Sequence, residues 1–315
     1  MTDTMTPKSL LIQLLSLALV LIVSGTSAAD SETPDREIST VSNTSNYFTY
    51  VSTSTDFNQN DRYSVEFDHG HLYMSYQADL AAATNSDWSY ELSFESLVTF
   101  VDNGNGYLDQ ADTILSTADL GDYSYTIITS QNDTTAGFQE RQITALSEDG
   151  LISFVFLMTS RQTDIGTVQL LPTEVKLTIS IHGMSFENGA DHVALIMSFS
   201  AETGLAVHYA QLGDLGELNL STSGSGGYLS WSNSVSVDGT TMPVNATWNG
   251  SELVFSYPAG QNIVHDPVLG VNSLAMRSGL VSVRGDTPLF AVGLVIASAI
   301  VGGAIVLTGR RRKDV

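Results

Sequence analysis

The chain has 315 residues, of which 34 are Asp or Glu, 12 are Lys or Arg and none is Cys; 43% are hydrophobic. A formal charge of −22 excludes nucleic acid as a partner class, because that recognition draws on a positive surface. The missing thiols exclude a disulfide scaffold, a thiolate zinc site and a cysteine nucleophile, and the apolar fraction is too high for a disordered polyanion.

Residues 1–29 read as a secretory signal peptide. Lys8 gives the positive start, Leu10 to Val23 form an apolar run of 14 residues, and Gly25 to Ala29 are small residues suited to cleavage. At 1.5 Å per residue the run reaches about 21 Å, short of a ~30 Å hydrocarbon core, which disfavours an uncleaved anchor helix. Residues 30–46 are polar and aperiodic, so a flexible leader is expected.

From Tyr47 a period of two takes over. Tyr63, Val65 and Phe67 alternate with Ser64, Glu66 and Asp68, and Leu72, Met74 and Tyr76 alternate with His71, Tyr73 and Ser75. Trp88, Tyr90, Leu92 and Phe94 repeat the pattern, as do Val175, Leu177, Ile179 and Ile181. Each pattern gives a strand one buried and one wet face. Leu151–Met158 and Val193–Phe199 are more continuously apolar and suit central strands covered on both sides. His69-Gly70, Asp149-Gly150, Asn188-Gly189, Asp238-Gly239 and Asn249-Gly250 stand between such runs, where a tight hairpin needs positive φ.

The fold class predicted is therefore all-β: an antiparallel β-sandwich ectodomain of about 12 to 16 strands, with one C-terminal transmembrane helix. It is either one large sandwich or two contacting halves, residues 47–185 and 186–272, with 273–287 as a short connector. The chain is long enough to bury a substantial core without disulfides.

One loop carries recognisable chemistry: Asp102-Asn103-Gly104-Asn105-Gly106-Tyr107-Leu108-Asp109-Gln110-Ala111-Asp112. Calcium takes six to eight hard oxygens, and a tight Gly-containing loop can bring several onto one ion. The run resembles the calcium loops of EF-hand and dockerin-like modules. That resemblance implies Asp102, Asn103 and Asn105 as the first side-chain ligands, with Gly106 at the bend. It also implies a backbone carbonyl from Tyr107, an apolar anchor at Leu108, Asp109 ligating directly or through water, and Asp112 as the closing carboxylate. The sequence departs from the pattern in one missing residue after Asp102, in Asp112 standing where a Glu is usual, and in a strand, not a helix, before the loop. A solvated Asn/Gly turn is the alternative.

His69 and His71 form an H-x-H pair of the kind that binds zinc in some β-rich hydrolases and lyases. His69-Gly70 reads better as the hairpin turn, which would splay the two imidazoles. Structural roles are expected for His182, His192 and His208. Ser223-Gly224-Ser225-Gly226-Gly227 lacks the Lys and helix of a phosphate loop and reads as a flexible turn, and His265-Asp266-Pro267 as a structural corner. No nucleophile elbow is present, so no catalytic residue is assigned and the chain is read as a non-enzyme.

Five glycosylation sequons, at Asn43, Asn132, Asn219, Asn245 and Asn249, suit a surface glycoprotein. Residues 288–309 are the predicted membrane span. Leu289 to Gly309 is 21 residues without charge, about 31 Å as a helix, and Arg310 to Lys313 follow at once. Basic residues resist translocation, so 310–315 form a cytoplasmic tail and the bulk of the chain lies outside as a type I single-pass protein of the cell membrane. Gly293/Ala297 and Ser298/Gly302 have the small-residue spacing that permits helix pairing, hence a homo-oligomer.

This layout resembles that of archaeal single-pass cell-surface proteins. It implies a binding, adhesion or envelope-structural role with an extracellular protein or glycan partner. Two alternatives remain open from the sequence: a membrane-tethered metal-dependent hydrolase or lyase using His69 and His71, and a solute-binding receptor subunit with a cleft between two halves.

Overall fold

The computed structural model describes residues 36–271, apart from 44–45, 55–60, 81–85, 134–138, 166–167, 187–188, 203 and 223–224. The predicted signal peptide, connector, membrane span and basic tail lie outside the described residues. Among the described residues no helix is long and apolar enough to cross a membrane.

The structure is all-β, and every strand pairing in it is antiparallel. The first nine strands are β1 (Arg36–Asn43), β2 (Tyr47–Ser54), β3 (Arg62–Asp68), β4 (His71–Gln77), β5 (Trp88–Val101), β6 (Thr113–Asp119), β7 (Tyr125–Asp133), β8 (Gln139–Ser147) and β9 (Ile152–Thr159). A small hairpin of β10 (Thr163–Ile165) and β11 (Val168–Leu170) leads to β12 (Glu174–His182) and β13 (His192–Ala201). There follow β14 (Ala206–Leu212), β15 (Leu215–Ser221), β16 (Gly226–Ser232), β17 (Ser234–Val237), β18 (Thr240–Pro243) and β19 (Asn245–Trp248). The last are β20 (Glu252–Pro258), β21 (Asn262–His265) and β22 (Val268–Val271).

The first large sheet runs β1-β2-β3-β4-β5-β13-β20-β19, with β6 paired to the far end of β5. The second runs β14-β15-β16-β22-β12-β21-β17-β18, and β7, β8 and β9 extend it from β12. Side chains from both sheets meet in one buried cluster. Aromatic contacts mark where the sheets touch: Phe48 with Phe156 at 5.0 Å, Phe94 with Phe154 at 4.1 Å and Trp231 with Phe255 at 5.1 Å between ring centroids. The period-two patterns place these rings, because β3 buries Tyr63, Val65 and Phe67 and turns the residues between them outward.

The two stretches on either side of residue 186 do not build separate sheets. β13 pairs with β5 and β20, while β12 pairs with β9 on one side and with β21 and β22 on the other. The described residues accordingly fall within one compact unit. The apolar runs predicted as central strands are central: β9 lies between β8 and β12, and β13 between β5 and β20.

Local turn chemistry is visible in the backbone. His69 and Gly70 have φ of 48° and 82°, and Asp238 and Gly239 have 50° and 79°, so both dipeptides make two-residue hairpins with positive φ at each central position. Three expectations are corrected. Residues 36–43, read as part of a flexible leader, form β1, because Ile38 is buried in the core and Arg36 is held by an ion pair with Asp61 at 2.8 Å. Gly226 and Gly227, read as part of a flexible turn, are strand residues of β16. A Cβ at Gly227 would come within 2.8 Å of the Trp88 ring, so the glycine lets an indole from the opposite sheet lie on the backbone. The strand number is also higher than expected, because β10, β11, β17, β18, β19, β21 and β22 have only three or four residues each.

Candidate functional site

The Asp/Asn/Gly loop leaves the end of β5 and folds back over the outer face of the first sheet. Underneath it Val98, Phe100 and Ala194 form a second buried cluster, with Leu108, Ile196 and Val254 packed against it. Leu108 packs on this cluster and screens a patch that period-two alternation would otherwise expose. Long-range polar contacts fix the loop. Asp102 N donates to Asp191 Oδ1 at 2.9 Å, Leu108 N to Ser256 Oγ at 3.1 Å and Asn245 Nδ2 to the Gly106 carbonyl at 2.9 Å. Gly106, with φ of 76°, is the bend; a Cβ there would lie 2.4 Å from Asn245 Nδ2.

Within the loop the carboxylates face N–H donors. Asp102 accepts from Gly104 N and Gly106 N at 2.9 Å each, and Asp112 accepts from Asn103 N at 2.9 Å and Asp109 N at 2.7 Å. Asp109 accepts from Ala111 N at 2.6 Å, from Asn105 Nδ2 at 2.7 Å and from Asn103 Nδ2 at 3.1 Å. These donors, the Ala111 backbone N–H first, hold the Asp109 carboxyl below the usual range. The Asp102 backbone N–H, followed by the His192 side chain, does the same for Asp191. The structure therefore brings Asp102, Asn103, Asn105, Asp109 and Asp112 into one small loop. The two Asn side chains present nitrogen to Asp109, and Asn105 Oδ1 accepts from Tyr107 N at 2.8 Å. Among the described residues no group of three or more His, Asp or Glu converges to hold a metal ion. A bound calcium would need oxygen where the amide nitrogens now point.

His69 lies in the hairpin turn itself, and His71 opens β4 just after it. The His69 ring contacts the Asp68 carboxylate and, at 3.4 Å, Asn46 Nδ2. His71 Nδ1 contacts Glu91 Oε1 and Ser93 Oγ at 2.8 Å each, across the β4–β5 pair. The other histidines serve their strands. His182 meets Asn262 at 3.2 Å, His192 meets Asp191 at 3.0 Å beside the Phe100 ring, and His208 lies exposed on β14.

His265 differs from the rest. It is 2% exposed, its Nε2 donates to the Ser232 carbonyl at 3.2 Å and its Nδ1 accepts from Tyr257 Oη at 3.1 Å. The Phe255 ring stands edge-on at 4.8 Å. A carbonyl can only accept, so Nε2 carries a proton, and burial favours the neutral ring, whose Nδ1 accepts. Burial pulls its pKa down from 6.5 to about 4, against smaller opposing effects of the Ser232 carbonyl and the Asp266 charge. The expected corner is present: Asp266-Pro267 breaks one strand into β21 and β22, both pairing with β12, and Asp266 meets Lys176 at 3.0 Å.

Of the sequons, Asn249 is exposed in the β19–β20 turn, where its Oδ1 accepts from Glu252 N at 2.8 Å. Asn219 sits on β15 with its amide donating to Glu217 at 2.8 Å. Asn245 uses its amide nitrogen to hold the Gly106 bend, so loop anchoring and glycan attachment compete for one atom. The side chains of Asn43 and Asn132 lie outside the described residues.

No protein-family model matches the sequence, and a search of curated proteins finds no match.

Proposed function

We propose that the chain is a single-pass glycoprotein of the cell surface whose β-sandwich ectodomain serves binding, adhesion or envelope structure. The observation that carries this reading is the order of segments around the sandwich. The last of the described strands, β22, ends at Val271, and an uncharged 21-residue run with a basic stop begins at Leu289, with 17 residues between them. So short a connector would hold the sandwich close to a bilayer. The acidic residues support the outward-facing part: 32 acidic against seven basic side chains lie in residues 30–287, a surface that repels anionic headgroups and attracts basic partners. A structural calcium ion belongs to the same proposal, with Asp102, Asp109 and Asp112 as carboxylate donors, Asn103 and Asn105 turning their amide oxygens inward and Tyr107 adding its carbonyl.

Protease applied to intact cells that produce the full-length chain tests the topology. Loss of the main body, with survival of a small fragment carrying residues 288–315, is the expected result. Complete protection of residues 36–271, or recovery of the chain in the soluble cytosolic fraction, refutes the reading.

A further inference from the structure

An Asn followed by Gly is chemically labile. The glycine nitrogen can attack the Asn side-chain carbon Cγ with no Cβ in its way; ammonia leaves, and water opens the resulting cyclic imide. The chain has four such pairs: Asn103-Gly104, Asn105-Gly106, Asn188-Gly189 and Asn249-Gly250. Asn188 lies outside the described residues, and the other three Asn are exposed. Their glycine nitrogens, however, are held differently.

Asn105 and Asn249 start from the same local geometry. Each turns Oδ1 back onto the N–H two residues ahead, that of Tyr107 at 2.8 Å and that of Ser251 at 3.0 Å, so the glycine lies inside the hydrogen-bonded ring. In the acidic loop the nucleophile is occupied. Gly106 N donates to Asp102 Oδ1 and Gly104 N to Asp102 Oδ2, at 2.9 Å each, so one carboxylate holds both glycine nitrogens. Attack requires the nitrogen to give up that proton, which costs a charge-assisted hydrogen bond and sets a nitrogen anion against a carboxylate. The Asn103 and Asn105 amides are also tied through Nδ2 to Asp109, at 3.1 Å and 2.7 Å.

In the β19–β20 turn nothing of the kind restrains Gly250. Its N–H has no hydrogen-bond partner among the described residues. Its φ is 104°, and the space around its missing Cβ is open. The Asn249 amide is meanwhile polarised for attack: Oδ1 accepts from Glu252 N at 2.8 Å and Ser251 Oγ at 3.3 Å as well as from Ser251 N. Such a set of donors stabilises the oxyanion that forms when a nucleophile adds to a carbonyl. Nδ2 donates to Glu252 Oε2 at 2.5 Å, which fixes the amide in this orientation.

We propose that Asn249 is a site of spontaneous rearrangement to isoaspartate, and that Asp102 protects Asn103 and Asn105 from the same reaction. The Gly250 N–Asn249 Cγ bond forms and the Cγ–Nδ2 bond breaks. The glycine proton passes to solvent base, and the departing nitrogen takes a proton from water and leaves as ammonia. Solvent water then hydrolyses the imide at either carbonyl, giving aspartate or isoaspartate. Isoaspartate routes the main chain through the side-chain carbons at the point where Asn249 N donates to the Glu252 carbonyl at 3.2 Å. Asn249 also heads a glycosylation sequon with Ser251, so the rearrangement removes a glycan acceptor.

Ageing of the full-length protein, made in a host that attaches no glycans, tests both halves of the proposal. After incubation at mildly alkaline pH, peptide mass spectrometry should find Asn249 converted about tenfold faster than Asn103 or Asn105. An isoaspartyl methyltransferase should label the Asn249 peptide. In urea, where no hydrogen bond separates them, the three sites should convert at similar rates. Asp102→Ala frees both glycine nitrogens and should raise conversion of Asn103 and Asn105 about tenfold, with Asn249 unchanged. Asp112→Ala removes the contacts to Asn103 N and Asp109 N but leaves both glycines on Asp102, and it should not produce that rise. An Asn249 that stays intact, or Asn103 and Asn105 converting as fast as Asn249 in the native chain, overturns the proposal. An equal rise in the two variants also overturns it, because protection would then come from the order of the loop as a whole.

Discussion

His265 gives the structure a calculable acid sensitivity. Its pKa is 6.5 in an unfolded chain and about 4 in the buried site made by Tyr257, Phe255 and the Ser232 carbonyl. Because the folded value is the lower one, the unfolded chain takes up the proton first as pH falls. This contribution to stability is intact above pH 6.5 and drains away between 6.5 and 4. A displacement of about 2.5 units corresponds to about 3 kcal/mol in full, and roughly 2.5 kcal/mol of it is already lost at pH 4.5. The group is fully buried, so solvent screening does not reduce the figure much. The variant His265→Gln keeps a neutral donor and acceptor but cannot ionise.

Urea unfolding of the native chain and of His265→Gln at pH 7.5 and 4.5 isolates the effect, since the many carboxylates that titrate in this range do so in both proteins. At pH 7.5 the variant should be less stable by about 1–2 kcal/mol, for its imperfect hydrogen bonds. At pH 4.5 the difference should shrink by about 2.5 kcal/mol and so vanish or change sign. A difference that stays constant from pH 7.5 to 4.5 refutes the argument, because it would mean that His265 titrates alike in the folded and unfolded chains.

Two further outcomes follow from the polar groups. Asp61→Ala strands the Arg36 guanidinium, which is 2% exposed, and removes the acceptor of Tyr76 Oη; chemical denaturation should show a loss of about 3–5 kcal/mol. Millimolar calcium should raise the Tm of the native chain relative to chelator, and Asp112→Ala should abolish the rise. An unchanged Tm removes the ion and leaves the loop held by its own N–H donors.

Much of the sheet architecture can be read from local pattern. Alternation identifies β3, β4, the first half of β5 and β12, since each has a dry face and a wet one, and the continuous apolar runs mark β9 and β13 as strands flanked on both sides. The positive-φ dipeptides locate their hairpins because the backbone requirement there is local. β1 is missed because its reason lies elsewhere in the chain: Arg36 is buried only because Asp61, 25 positions away, receives it. Phe100 is a different failure of pattern. It belongs to an outer face, yet it is fully buried because a loop returns to cover it.

That same return explains why the candidate site is only half visible in sequence. The spacing of Asp102, Asn103, Asn105, Asp109 and Asp112 is written in eleven consecutive residues, and the structure does gather them. What sets the loop's position comes from Asp191, Asn245 and Ser256, on three separate stretches brought alongside by the β5–β13–β20–β19 order of the sheet. No periodicity announces those partners. Their consequence is physical: an acidic loop pinned at three remote points and seated on Val98 and Phe100 is held along its path by those contacts. Calcium, if it enters, would have to turn two amides and displace N–H donors from three carboxylates. Its net effect on stability would then be smaller than its coordination energy, by the hydrogen bonds it replaces.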